Sequence, residues 1–137
     1  MDFKKIRNAK QVFSRAFLAD KMRKTRISPF GVDAVICSSV WGKMKGMMFS
    51  SKRKKPLLFI FSKEKHVPIH MFFVFFPLIV IWISSKKNIV DYQIMKPFTI
   101  YSPRGKARYV LEIPFIEGKN SKIIAKRLKK GLKLKFR

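Results

Sequence analysis

Few residues in this chain have the types and spacing that chemistry needs. His66 and His70 are its two histidines. On a helix, their i, i+4 spacing would present both to one zinc ion, but Glu64 is the one acid beside them and no cysteine accompanies them. In a strand the pair shares a face about 13 Å apart, too far for a common ion. His70 is therefore expected as a core or rim histidine. Cys37 is the single cysteine, which excludes a disulfide within the chain and zinc sites built from several thiolates. It follows Val35-Ile36 in an apolar run, where a buried, inert thiol is expected. Seven acids leave few general acid–base options. Asp91 and Glu112 fall near the centres of expected strands, and Glu112 is expected to pair with Arg108 or a lysine. No Gly-rich phosphate loop, nucleophile elbow or Cys–His pair occurs. The expectation is a protein that is not an enzyme, with no cofactor, no metal site and no evident small-molecule substrate.

Charge is the property that stands out. Thirty-two Lys and Arg face seven acids, a net charge of +25 on 137 residues. Solubility alone needs a net charge of about 2–8, so a counter-charged partner is implied. The ends carry most of the excess: residues 1–28 hold nine bases and two acids, and residues 119–137 hold nine bases and no acid. Candidate phosphate contacts are Lys4, Lys5, Arg7, Arg23, Lys24 and Arg26 in the first arm, and Lys52, Arg53, Lys54 and Lys55 in a central cluster. Arg104, Lys106 and Arg108 form a third group, and Lys122, Lys126, Arg127, Lys129 and Lys130 a fourth. Lysine on reachable loops supplies point charges for backbone phosphates without reading sequence. Tyr101, Tyr109 and Trp41 have the rings to stack on unpaired bases, although each is better explained by core packing. The partner expected from this pattern is structured RNA, above all ribosomal RNA with neighbouring ribosomal proteins. An anionic membrane surface is the rival partner, and a small-ligand or enzyme module of uncharacterised type is the further alternative.

The elements that must position these residues are mainly strands. Residues 67–83 carry no Lys, Arg, Asp or Glu, which is the short limit of a membrane span. Val, Ile and Phe dominate the run and Pro68, His70 and Pro77 interrupt it, so two strands are expected, one ending near Phe76 and one over 78–83. Further strands are expected at 32–40, 56–61, 89–95 and 109–113, with a turn at 84–88. In the first arm, Ile6, Phe13, Phe17 and Met22 have loosely helical spacing. Near the other end, Ser121 can cap a helix with a stripe of Ile123, Ile124 and Leu128, and Gly131 can end it. Leu132-Lys133-Leu134-Lys135-Phe136 then alternates as an edge strand.

The predicted class is α+β, mainly β: a small curled sheet or partial barrel with a C-terminal helix and a basic N-terminal helical arm. The arm is placed at 1–28 and the β-rich domain at 29–137. The first residues lack an apolar leader region, and a cytoplasmic, ribosome-associated protein is expected.

The middle of the chain resembles a family, domain of unknown function 192. Lys45-Gly46-Met47-Met48-Phe49 is similar to its Arg-Gly-Leu-Met-Phe motif, and Pro56-Leu57-Leu58-Phe59-Ile60-Phe61 to its Gly-Met-Leu-Phe-Val-Phe strand. Tyr101-Ser102-Pro103 with Ala107-Arg108-Tyr109-Val110-Leu111-Glu112 is similar to its Tyr-x-x-x-x-x-Ala-Arg-Tyr-Val-Leu-Glu segment. Ile69-His70-Met71-Phe72-Phe73 and Pro77-Leu78-Ile79 stand where that family has Phe-Trp-Met-Lys-Asn and Pro-Leu-Asp. The resemblance covers about residues 40–135 and implies a compact β-rich domain with a helix, and no activity. The family's Lys-Asn and Asp fall on Phe72, Phe73 and Ile79, which implies a polar cluster lost and its pocket filled.

Overall fold

In the computed structural model of the chain, residues 24–28, 30–37, 55–115, 119–129 and 134–136 are described. Among them are nine strands and one helix: β1 Lys24–Ser28, β2 Val32–Cys37, β3 Leu57–Lys65, β4 Ile69–His70, β5 Leu78–Ile83, β6 Ile89–Met95, β7 Ile100–Tyr101, β8 Ala107–Pro114, α1 Lys119–Leu128 and β9 Lys135–Phe136. Seven strands form one sheet in the order β6-β5-β8-β3-β2-β1-β9, and β4 pairs with β7 in a small second sheet. The β2–β3 pair is parallel and every other pair is antiparallel. The α+β, mainly β class read from the sequence is the class observed.

The centre of the sheet follows from apolar runs. All six residues of β5 are buried, as a strand covered on both faces requires. Leu78, Val80 and Trp82 face one core with Leu57, Phe59 and Val110, closed over by Met71, Val74 and Phe76 from the segment after β4. Ile79, Ile81 and Ile83 face the other core with Leu58, Leu111 and Ile113, which α1 closes through Ile124 and Leu128. Residues 67–83 are thus strand, turn and central strand. Among the described residues no helix is long and apolar enough to cross a membrane.

The sheet curls without closing. Leu134 N donates to Lys87 O across 2.9 Å, joining the residue before β9 to the β5–β6 turn. Phe136 stacks edge-on against Tyr109 at 5.0 Å between centroids, and Lys87 Nζ lies 5.2 Å from its ring. That turn also forms where the sequence places it, with Ser84 N donating to Asn88 O and Lys87 N to Ser84 O, both at 2.9 Å.

Several expectations are corrected. The last five residues of the expected helical arm are β1, because Thr25 and Ile27 alternate inward between exposed Lys24 and Arg26 and pair with β2. Gly31, at φ +65°, makes the hairpin between them. The helical spacing of Ile6 to Met22 lies outside the described residues, as do 38–40 of the expected 32–40 strand and the Gly131 helix end. The expected strand ending near Phe76 is a two-residue strand followed by a turn. The helix starts at Lys119, two residues before the expected Ser121 cap, and Ile123 of its expected stripe is exposed.

Candidate functional site

Two turns meet and share one residue, Met71, as their hydrogen-bonding hub. Met71, fully buried, accepts from Val74 N at 3.3 Å and from Phe98 N at 2.8 Å through its carbonyl, while its own N–H donates to Thr99 O at 2.7 Å. Phe73 sits at φ +58° in the first turn and Phe98 at φ +60° in the second. Pro97 followed by a residue of positive φ is the order of a type II turn, whose third position favours Gly or Asn. Both phenylalanines therefore occupy a backbone region that costs a residue with a Cβ about 1–2 kcal/mol. Their rings gain little burial in return. Phe98 is 56% exposed, Phe75 57% and Ile100 64%, and Phe72 and Phe73 are also exposed. Phe75 and Phe98 meet edge to face at 5.9 Å, and His70 lies 5.2 Å from the Phe72 ring.

A buried carboxylate braces this region. Asp91 Oδ2 accepts from Tyr101 Oη at 2.9 Å and from Arg104 N at 3.0 Å, and Oδ1 accepts from Tyr92 N at 2.8 Å. The hydrogen bond to Asp91 raises the Tyr101 phenol above its ordinary range. Tyr101 also packs on Trp82 at 5.4 Å, and Trp82 Nε1 donates to Val67 O at 2.7 Å. Every polar group in this brace has a partner, which fixes β7 and the turn before it.

The residues picked for chemistry make local contacts within the fold. His66 Nε2 lies 2.7 Å from Ser102 Oγ. A hydrolase uses such a contact to activate a nucleophile, but here both groups are exposed and no carboxylate among the described residues orients the imidazole. Cys37 is buried. Among the described residues no three His, Cys, Asp or Glu side chains come together. Glu64 Oε1 accepts from Ser85 N and Ser85 Oγ, each at 2.7 Å, and those bonds, the backbone one foremost, hold its carboxyl below the usual range. The expected pairing of Glu112 is corrected. It sits mid-sheet opposite Leu57 and Val80, with no ion-pair or hydrogen-bond partner among the described residues, and burial pushes its carboxyl up to about 7. Arg108 turns over the Tyr109 ring at 5.9 Å, leaving its Nε buried with no hydrogen-bond partner among the described residues.

The basic residues predicted as contacts fall in separate places. Lys24, Arg26 and Lys55 surround a shallow depression of about 500 Å³ with Thr25 and Asp33, and Arg26 Nη1 is 3.2 Å from Asp33 Oδ1. Arg104 and Lys106 are exposed on the loop before β8, where Arg108 is half-buried. Lys122, Lys126, Arg127 and Lys129 are exposed along and just after α1. Lys4, Lys5, Arg7, Arg23, Lys52, Arg53, Lys54 and Lys130 lie outside the described residues, as does Trp41. Sequence reasoning missed the aromatic turns, whose signals were Pro97 and the family's Asn at Phe73. An Asn tolerates positive φ, so that residue is accounted for by backbone geometry. Nor do Phe72 and Phe73 fill a pocket, since both point to the surface; Ile79 alone of the three replaced positions is buried.

A family model of uncharacterized proteins, DUF192, matches residues 22–131, which is most of the chain. The chain belongs to that family. Among its relatives, a UPF0127 protein of Thermococcus gammatolerans is 35% identical over 74 residues, covering 53% of this chain and 48% of that one. A UPF0127 protein of Pyrococcus horikoshii is 36% identical over 81 residues, covering 58% of this chain and 70% of its own. The chain thus spans about half the length of the first of these relatives. The DUF192 fold is seen in a Sinorhizobium meliloti protein proposed to regulate transcription, with TM-score 0.65 and 21% identity over 82% of this chain and 92% of that one. A Novosphingobium aromaticivorans protein of unknown function has TM-score 0.64 and 17% identity, covering 83% of each chain. At these identities the likeness is one of fold alone.

These matches overturn the ribosomal and RNA-binding reading. The chain is a DUF192 protein, and its UPF0127 relatives and the proteins sharing its fold are uncharacterised, of unknown function or described as a regulator of transcription, none of them as ribosomal or RNA-binding. The geometry removes two props of that reading as well: Tyr101 and Tyr109 are engaged with Trp82 and Phe136, and Arg108 is folded onto its own strand.

Proposed function

We propose that this DUF192 protein is a non-catalytic module that binds the anionic surface of a lipid membrane. The observation that carries this reading is how the acids are used. The described residues include seventeen Lys and Arg but four acids: Asp33, Glu64, Asp91 and Glu112. Asp33 pairs with Arg26, Glu64 binds Ser85, Asp91 braces Tyr101 and Arg104, and Glu112 is buried. Among the described residues one carboxylate is thus seen ion-paired to a base, and basic side chains outnumber acidic ones by about four to one. Each lysine or arginine near an anionic leaflet contributes about 1 kcal/mol, and the attraction fades within a Debye length.

The test is flotation with phosphatidylcholine vesicles with and without phosphatidylserine, over a range of salt. Binding is expected on the anionic vesicles at low salt, unaffected by nuclease, and weakening as salt rises. Equal recovery without phosphatidylserine would count against the charge reading. For the non-catalytic half, a fluorophosphonate probe is expected to leave Ser102 unlabelled at neutral pH; labelling that depends on His66 would instead mark a nucleophile.

A further inference from the structure

We infer that the paired aromatic turns, carrying Phe72, Phe73, Phe75, Phe98 and Ile100, insert into the interfacial layer of that membrane. The inference rests on the reading above but on a different observation. The described surface is rich in Lys and Arg, whereas the two hydrogen-bonded turns and the strand after them carry four exposed phenylalanine rings and an exposed isoleucine, with Phe75 and Phe98 in contact. Soluble monomers rarely leave such side chains contiguous on the surface unless something covers them.

The backbone strengthens the point. Two of the rings are held in the left-handed region, where Asn or Gly would be easier, and the main chain behind them is pinned to Met71 by three hydrogen bonds. Strain of this kind persists where the surroundings over-determine it, and it collects at binding sites. Beneath the turns the Asp91 brace fixes β7, so the rings are presented on a rigid base.

The occupant follows from the chemistry around the rings. Lys96 opens the second turn, with its carbonyl receiving Thr99 Oγ1, and its side chain is exposed. An aromatic tip beside a lysine that keeps its charge in the headgroup layer matches the interfacial pattern of buried apolar groups with basic neighbours. A second copy of this chain fits poorly, because each copy carries +25. Phe72, Phe73 and Phe98 stand on turns, which suits a deformable lipid interface. Charge then sets the approach and the rings set the hold.

The experiment compares the full chain with a Phe73→Asn, Phe98→Asn double variant on phosphatidylserine-containing vesicles at low and at high salt. Asparagine relieves the left-handed backbone, so a melting curve at or above wild type shows that folding is intact. The wild-type chain is expected to keep a bound fraction at high salt. The variant is expected to bind at low salt but to lose that salt-resistant fraction, with affinity lower by roughly tenfold or more. Equal partition of the two proteins at both salts overturns insertion while leaving electrostatic binding intact. Failure of the wild type to bind anionic vesicles at any salt overturns the reading beneath it, and insertion with it. A Lys126→Glu, Lys129→Glu variant, altered on and just after α1, is expected to show the opposite split: weaker at low salt, with the resistant fraction retained.

Discussion

Two regions of this fold place residues with side chains in the left-handed backbone region, and they use it in opposite ways. In the 84–88 turn, Lys87 is at φ +64°, and the whole turn is tied inward. Ser84 Oγ accepts from Asn88 N at 3.1 Å, Glu64 caps Ser85, Lys87 O accepts from Leu134 N, and the Lys87 ammonium rests on Phe136. In the Met71 turns the backbone is tied inward just as firmly, but the side chains of Phe73 and Phe98 point out. The first turn is complete within the protein. The second leaves its rings exposed at the surface, Phe98 against the ring of Phe75.

The largest effect expected on that contrast comes from Asp91→Ala. It strips the acceptor from Tyr101 Oη, Arg104 N and Tyr92 N, a loss of about 4 kcal/mol. Hydrogen exchange should quicken at the Met71 and Phe98 amides well before the Ser84 and Lys87 amides respond. If all four quicken together, the two regions are not independently braced.

Glu112 acts on both regions at once, because β8 lies between β5 and β3. Its carboxyl is raised from 4.5 to about 7 by burial. Below 4.5 it is protonated whether the chain is folded or not, and its burial is harmless. As pH rises past 4.5 the unfolded chain releases the proton while the folded chain keeps it, so stability falls until about pH 7 and then levels off. The total loss is about 3 kcal/mol. Denaturant titrations should show this decline in the wild type, and Glu112→Gln should flatten it. A wild-type stability that rises between those pH values would sink the assignment.

Smaller effects separate the turns directly. Phe73→Asn and Phe98→Asn should each raise the free energy of unfolding by about 1 kcal/mol by relieving positive φ, read as a higher midpoint in urea. Lys87→Gly gains the same relief but loses the contact with Phe136, so a net change of a few tenths of a kcal/mol is expected. A stabilisation by Lys87→Gly as large as that at Phe98 would erase the contrast between the two turns.

Much of the sheet was legible because its strands are apolar runs bounded by turn residues. β5 and β6 stand where the pattern placed them, and the turn between them announces itself in Ser84-Ser85-Lys86-Lys87-Asn88. β1 was hidden because its inward residues, Thr25 and Ile27, lie among bases that read as an arm. The aromatic turns were hidden for the opposite reason. Six of the seven residues 70–76 are Met, Phe or Val, so hydropathy continues through a reversal that the backbone makes anyway. A turn is normally betrayed by Gly, Asn or Asp, and here phenylalanine stands in that place. Similarly, the spacing of Arg108 and Glu112 suggested a pair, but strand geometry separates residues four apart along one face. The charge excess was legible, yet the structured RNA read from it is the part that the family match overturned.

The hydrogen bond from Leu134 to Lys87, and the pairing of Ile27 with Phe136, have a consequence in time. The β5–β6 hairpin joins residues near in sequence and closes a short loop, so it can form early. Residues 27 and 136 lie at opposite ends of the described chain, and their meeting must wait for the strands between them. The last few residues then act as the latch of the folding reaction. Disturbing Phe136 should leave the refolding rate nearly unchanged and speed unfolding, as stopped-flow kinetics would show.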